Sequence, residues 1–424
     1  MKQTVSDPEF TPQEIQLRQR RCQQPALFPR LHNLLVRADA TAGSLATADA
    51  VEGLLLQELR ALGRTAMQEW ARPAAARVNA ELRAAAATVR SRKKKTLTWW
   101  GVFGQVRVPD HGWRSASQNY IRPLPARLGV TPRGRSQPLA RVLTDFGSEP
   151  SFAQAADRVR EHYGFTSNVS AVRHTTLEHA QRARRQLEAQ YAQSFRELPA
   201  VGAAQVIAEA DGTMICTVQP GPRKGQRPRQ WRAMRLVAAQ AKDTATTGYG
   251  ATVGGVAATG QRWGHVTRAA GWGWNSRLHA VGDGAGWIPW QGREVFGPQG
   301  HFLCDCFHVS EYLGAAAPSC RPAQPATWRR TQQRRLKRGA GPQVLAALAT
   351  RLEAETLADE EAPGRSAQRY LSNRRTGLDY PGALALGLPI GSGMIESGHR
   401  HVLQARLNKA GTAWLPEPAD QLAH

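Results

Sequence analysis

Three carboxylates stand where a buried strand or helix would ordinarily avoid one. Asp211 interrupts the apolar run VIAEADGTMI, Asp283 ends HAVGDGAGWI, and Glu396 lies in LPIGSGMIES at residues 388–397. An acid at the carboxyl end of a core strand is a common active-site placement in open α/β sheets. An Asp-Gly pair by itself makes a turn, and either aspartate taken singly reads that way. Together, two strand-borne aspartates and a helix-borne glutamate offer hard oxygens to magnesium or manganese, the ions of many phosphoryl-transfer sites. Ser392 reads as the cap of the Glu396 helix, and Pro389 with the glycines on either side of Ser392 lets the chain turn before it. His399, Arg400 and His401 follow on the next turn. Arg400 is spaced to pair with Glu396 along the helix or to contact phosphate.

The elements that must position these acids follow from hydrophobic periodicity. AAQVIAEADGTMICTVQP (203–220), QWRAMRLVAAQAKD (230–243), LHAVGDGAGWI (278–288) and HFLCDCFHVSEYL (301–313) read as short apolar strands. Strands alternating with helices indicate an α/β core. The stretch between Asp283 and Glu396 is too long for a simple connection, so a helical insertion at about 314–380 is expected. That insertion carries TWRRTQQRRLKR (327–338), whose Arg329, Arg330, Arg334, Arg335, Lys337 and Arg338 line a DNA path or form a solvated basic face.

Upstream, residues 1–50 give little signal, and a helical pattern runs from Val51 to about Arg90. RSRKKK at Arg90–Lys95 reads as a solvated linker or, through Lys93, Lys94 and Lys95, as a phosphate contact. TLTWWGVFGQVRVP (96–109) suggests a strand pair. SFAQAADRVREHYGFTSNVSAVRHTTLEHA (151–180) reads as two short helices about a turn at Gly164, with Ser167 or Asn168 as second cap and Arg173 facing nucleic acid. A long polar helix (about 173–197) then leads to a domain boundary at Pro199. The resulting division is 1–95 helical, 96–135 β-rich, 136–198 helix-turn-helix and 199–424 catalytic.

Charge points the same way. Fifty-six Lys and Arg against 33 Asp and Glu give a net charge of +23, which in a protein of this kind implies a polyanionic partner, most often nucleic acid. Five scattered cysteines form no disulfide framework. Neither a signal-peptide core nor a run of about 18 apolar residues is present, so a cytoplasmic, nucleoid-associated bacterial protein is expected. Cys304, Cys306 and His308, with His279, admit a zinc reading, but the spacing is tighter than that of usual zinc sites and two buried thiols fit better.

ADGTMI, HAVGDGAGWI, LCDCFHVSEYL and LPIGSGMIESGHRHVLQARLNKAGTAW, in that order, resemble the successive blocks of bacterial insertion-sequence transposases of the Kra type. The resemblance implies a Mutator-like DDE enzyme with a ribonuclease-H-like mixed sheet, a helical insertion and a preceding all-α helix-turn-helix region. It implies Asp211, Asp283 and Glu396 as the metal-binding catalytic triad. Asp305-Cys306-Phe307-His308 would be the Asp-x-x-His element, with His308 orienting a strand or a ligand. It further implies Mg2+ or Mn2+ as cofactor, terminal inverted repeats and target DNA as partners, and a homodimer or higher multimer on DNA. The chain departs from the family pattern in lacking cysteines across VPDHGWRSASQNYIRPL (108–124) and in reading Trp231-Arg232-Ala233 where Trp-Lys-Glu is usual. These departures, with the short segment after Trp414, keep a second reading open: a truncated or catalytically impaired transposase-derived DNA-binding protein.

Overall fold

The computed structural model describes residues 10–42, 47–84, 89–115, 120–194, 197–219 and 228–423. The chain divides into two compact units, Met1–Thr176 and Leu177–His424.

The first unit opens with three helices, α1 (Pro12–Gln23), α2 (Leu27–Thr41) and α3 (Ala48–Ala84). The first two occupy a region with little sequence signal, and neither contains a buried residue. α1 nevertheless has strong local punctuation, a Thr11–Glu14 capping box followed by Pro12 at its first position. The carboxyl half of α3 buries Ala71, Ala75 and Val78 against a hairpin of β1 (Val89–Gly101) and β2 (Gly104–Ser115), whose Leu97, Trp99, Val106 and Val108 complete that core. The basic run is therefore strand rather than linker, and Lys93–Lys95 are exposed on β1. β3 (Tyr120–Ile121) adds to β2, residues 116–119 of the cysteine-free stretch lie outside the described residues, and α4 (Pro123–Arg127) follows.

Next come α5 (Gln137–Ser148), α6 (Phe152–Tyr163) and α7 (Val169–Ser194), packed through Leu139, Leu143, Ala155, Val159 and Val172. A Ser151–Gln154 capping box starts α6, and Gly164 ends it in the left-handed region at φ 70°. Asn168 receives the Ala171 amide at 2.6 Å and opens α7. One 26-residue helix thus replaces the expected short second helix followed by a separate polar one. Its distal half belongs to the second unit for a physical reason: Tyr191 packs edge-on against His265 at 4.8 Å, and Arg184 pairs with Asp420 at 3.2 Å.

The second unit is mixed α/β. Its strands are β4 (Gln205–Val218), β5 (Arg229–Ala241), β6 (Gly248–Thr252), β7 (Arg277–Gly282) and β8 (Gly300–Cys304), in spatial order β6-β5-β4-β7-β8. β4, β5 and β6 form an antiparallel meander, whereas β7 and β8 run parallel to β4. Helices α8 (Val256–Ala269) and α9 (Trp287–Phe296) cover one face, where Trp263, Ile288 and Phe296 meet Val206, Ala208, Leu278 and Ala280.

The other face carries α10 (Cys306–Cys320), α11 (Pro325–Lys337), α12 (Gly341–Ala349), α13 (Pro363–Ser372) and α14 (Tyr380–Ala385), packed on Val281 and Leu303. The segment 301–313 is therefore half strand and half helix: Asp305 caps α10 through the Phe307 amide at 2.6 Å. α15 (Gly393–Gly398) passes directly into a π-helical turn, His399–Gln404, and α16 (Pro416–Leu422) closes the described fold. Between them, the Trp414 amide donates to the Cys216 carbonyl at 3.0 Å, and the Val218 amide donates to the Trp414 carbonyl at 2.8 Å. Among the described residues no helix is long and apolar enough to cross a membrane.

Candidate functional site

Side chains alternate along a strand, and residues paired across parallel strands point to the same side. On β4 the even positions Val206, Ala208 and Ala210 enter the core under α8 and α9, so Ile207, Glu209 and Asp211 face the opposite side. The register Glu209↔Val281 and Ala210↔Gly282 carries Asp283 next to Asp211, and Val281↔Leu303 likewise carries Asp305 beyond β8 on that side. Asp211 is not a turn residue: it pairs with Leu236 within the long β4 hairpin arm. Its position is nonetheless where parallel pairing with β7 ends. Four carboxylates, Glu209, Asp211, Asp283 and Asp305, thus collect along one rim of one face.

Each is held differently. The Asp283 carboxylate accepts the Ala285 amide at 2.8 Å. Burial raises its pKa above the ordinary aspartate value and nearby Asp211 pushes the same way, while the Ala285 amide, His308 and Arg374 oppose them. The helical insertion clamps the same loop, since the Arg374 guanidinium donates to the Gly284 carbonyl at 2.7 Å and the Tyr370 hydroxyl donates to the Asp283 carbonyl. Arg374 also lies over the Tyr370 ring at 3.9 Å, and Tyr370 stacks on Tyr312. Asp305 is 2 % exposed and accepts from Phe307 N and from both the amide and hydroxyl of Ser392.

Ser392 is therefore not the side-chain cap of the Glu396 helix. Its hydroxyl has a stronger partner in a buried carboxylate, and a charge-assisted bond of that kind wins over a cap. The loop ahead of it is held by its backbone. The Cys306 amide donates to the Ile390 carbonyl at 2.8 Å, and His279 Nε2 donates to the Pro389 carbonyl at 2.7 Å.

Glu396 is exposed, and among the described residues its carboxylate makes no hydrogen bond or ion pair, while its amide donates to the Ser392 carbonyl at 3.2 Å. Its backbone is nevertheless bracketed by two contacts to β4. The Ile395 amide donates to Glu209 at 2.8 Å, and His399 Nε2 lies 3.0 Å from the Asp211 carboxylate. Glu209 is 1 % exposed, and burial pushes its carboxyl up to about 7. Asp305 and Glu396 push the same way, against the amides of Ile395 and Met394. At Gly398 the helix comes so close to the sheet that a Cβ would stand 2.7 Å from the Tyr249 ring and 2.8 Å from Leu236.

The expected Glu396–Arg400 ion pair is absent among the described residues, and Arg400 is exposed. The reason is the π-helical turn starting at His399, whose larger number of residues per turn moves Arg400 off the i,i+4 row of Glu396. The structure therefore brings Asp211 and His308 near Asp283, while the Glu396 carboxylate bonds to none of the three among the described residues. Among the described residues no three His, Cys, Asp or Glu side chains converge as metal ligands. Cys304 ends β8 and Cys306 starts α10, so the shared strand face of the zinc reading does not exist. Burial pushes the Cys304 thiol up to about 12 and raises that of Cys306.

The basic candidates are on surfaces. α11 buries Trp328, Gln332 and Leu336 on one stripe and exposes Arg329, Arg330, Arg334 and Lys337, with Arg338 just beyond its end and Arg335 half-buried against Gln332. Arg173 is exposed on α7 in the first unit. Glu209, Tyr370 and Arg374 are site residues that the sequence did not single out, and His399 stood out only by its place on the turn after Glu396. Only Glu209 carried a usable signal, being an acid inside an apolar run and in phase with Asp211.

No protein-family model matches the chain, and neither does any curated protein.

Proposed function

We propose that the chain is a DDE transposase of the Kra type, cleaving and joining DNA at the ends of an insertion sequence with Mg2+ or Mn2+. One observation carries the reading: Asp211 and Asp283 stand side by side where two parallel central strands end, and the helix bearing Glu396 is moored to the same face. The mixed sheet, with its antiparallel meander and parallel strands, supports a ribonuclease-H-like core. The helices about Gly164 support a helix-turn-helix region for terminal inverted repeats, and the exposed arginines of α11 support a path for backbone phosphates.

The donor set fits the metal. Asp211 and Asp283 offer hard oxygens, and a bound cation would favour the ionised form of Asp283, whose pKa is raised mainly by burial and further by neighbouring Asp211. Glu396, on a flexible exposed side chain, completes the set. When bound, the metal would lower the pKa of the attacking water or DNA 3′-hydroxyl and stabilise the leaving oxygen. The protein's own work is positional. Tyr370 and Arg374 fix the Asp283 loop, Asp305 fixes the turn before Glu396, and His308 on the first turn of α10 stands near Asp283.

The test is to search the DNA on either side of the gene for short inverted repeats and to incubate the purified chain and Mg2+ or Mn2+ with DNA ending in them. Nicking or joining that disappears in Asp283→Asn supports the reading; unchanged activity in that variant refutes the triad. The bond between His399 and Asp211 favours a second reading, a DNA-binding protein without catalysis. Retained end binding with no processing under either metal selects it.

A further inference from the structure

The helix bearing Glu396 has lost its own cap, because the Ser392 hydroxyl is committed to Asp305. The first amides of a helix have no acceptor within it, and here, among the described residues, only that of Glu396 closes on the Ser392 carbonyl, at 3.2 Å. The missing acceptor comes from 186 residues away in the chain, where Glu209 on β4 takes the Ile395 amide.

The spacing explains why one strand can moor this helix twice. Glu209 and Asp211, two residues apart on one face of β4, are separated by about 6.6 Å along the strand. Ile395 and His399, four residues apart, are separated by about 6 Å along the helix. The two rungs, Glu209–Ile395 and Asp211–His399, therefore match in length, and Glu396 lies between them. The close approach at Gly398 allows the helix to lie this near the sheet. The rungs differ in kind. Asp211 belongs to the proposed reacting centre, so its bond to His399 competes with whatever else engages that carboxylate. Glu209 is buried and reaches only the helix backbone, and its rung does not compete.

We propose, building on the transposase reading, that Glu209 is a positioning residue whose carboxyl replaces the missing cap and holds Glu396 against Asp211 and Asp283. It acts through the helix and touches no substrate.

Hydrogen exchange on the full chain, read at the amides of residues 393–398, tests this in Glu209→Met and Glu209→Gln. Met fills the volume without accepting a bond; Gln keeps an acceptor oxygen. Exchange at Met394 and Ile395 should accelerate at least tenfold in the Met variant and stay within threefold of wild type in the Gln variant. For DNA end cleavage, the Met variant should lose at least tenfold in kcat with KM within twofold, and Gln should restore kcat. Wild-type protection in the Met variant overturns the proposal, as does a Gln variant no better protected than Met. If the Met variant does not fold, the Gln variant decides by itself: tenfold faster exchange overturns the proposal and unchanged exchange supports it. A wild-type chain that processes no DNA defeats the transposase reading, while the exchange data still judge the Glu209 rung separately.

Discussion

Glu209 gives the fold a pH dependence that can be isolated. Its carboxyl is raised from 4.5 to about 7, mainly by burial, so between those values the folded chain holds a proton that the unfolded chain releases. Stability from this group is fully present below about pH 4.5 and is lost as pH rises through 7. At about 1.4 kcal/mol per pKa unit, the loss across the window is about 3 kcal/mol. Glu209→Gln cannot ionise and lacks this slope. Urea unfolding of both chains at pH 5, 6, 7 and 8 measures it, with tryptophan fluorescence as the probe. Asp283, also raised, contributes a slope of the same sign but is present in both chains and cancels in the difference. The expected result is a wild type that loses about 2 to 3 kcal/mol relative to the Gln variant between pH 5 and 8. A difference constant to within about 0.5 kcal/mol, or one that grows in favour of the wild type with pH, refutes the reasoning.

Other consequences are equally measurable. Asp420 accepts Thr252 Oγ1 and the Val253 amide at 2.8 Å and faces the buried Arg262 at 3.9 Å. Asp420→Ala therefore leaves a buried cation with one carboxylate fewer and should cost about 3 to 5 kcal/mol in chemical denaturation, with Asp420→Asn costing less. Gly398→Ala drives a methyl into Tyr249 and Leu236, so it should destabilise the chain by about 1 to 3 kcal/mol and reduce DNA processing by lifting the Glu396 helix. Replacing Arg329, Arg330 and Arg334 by alanine should lower the slope of log affinity against log salt by about 3 in DNA-binding titrations, with the thermal midpoint unmoved.

What the sequence made legible was mostly local. The strands at 203–220 and 230–243 could be read because apolar runs there are bounded by glycine, proline and charge. Asp211 and Asp283 were visible as acids out of place. Tertiary competition hid the rest. Ser392 has every local property of a cap, yet a buried aspartate 87 residues earlier binds it instead. HFLCDCFHVSEYL is apolar enough for either state, and only Asp305 accepting the Phe307 amide switches it from strand to helix. The π-helical turn at His399 leaves no periodic mark in so short a stretch, so of the two partners open to Arg400, Glu396 and phosphate, the first is not met. The continuity of α7 escaped because its buried stripe changes partners along its length, from α5 and α6 to His265.

The rung between Asp211 and His399 joins residues 188 apart, and that distance is also a delay. A ribosome adding about 5 to 20 residues per second needs on the order of 10 to 40 seconds to pass from the first partner to the second. Throughout that interval β4 exists without the helix that Glu209 and Asp211 moor, and its row of acids faces solvent or whatever holds the nascent chain. The mooring of this face is therefore a late event in synthesis. The face on which Glu209 and Asp211 stand becomes complete only after residue 399 has emerged, so its assembly belongs to the end of synthesis.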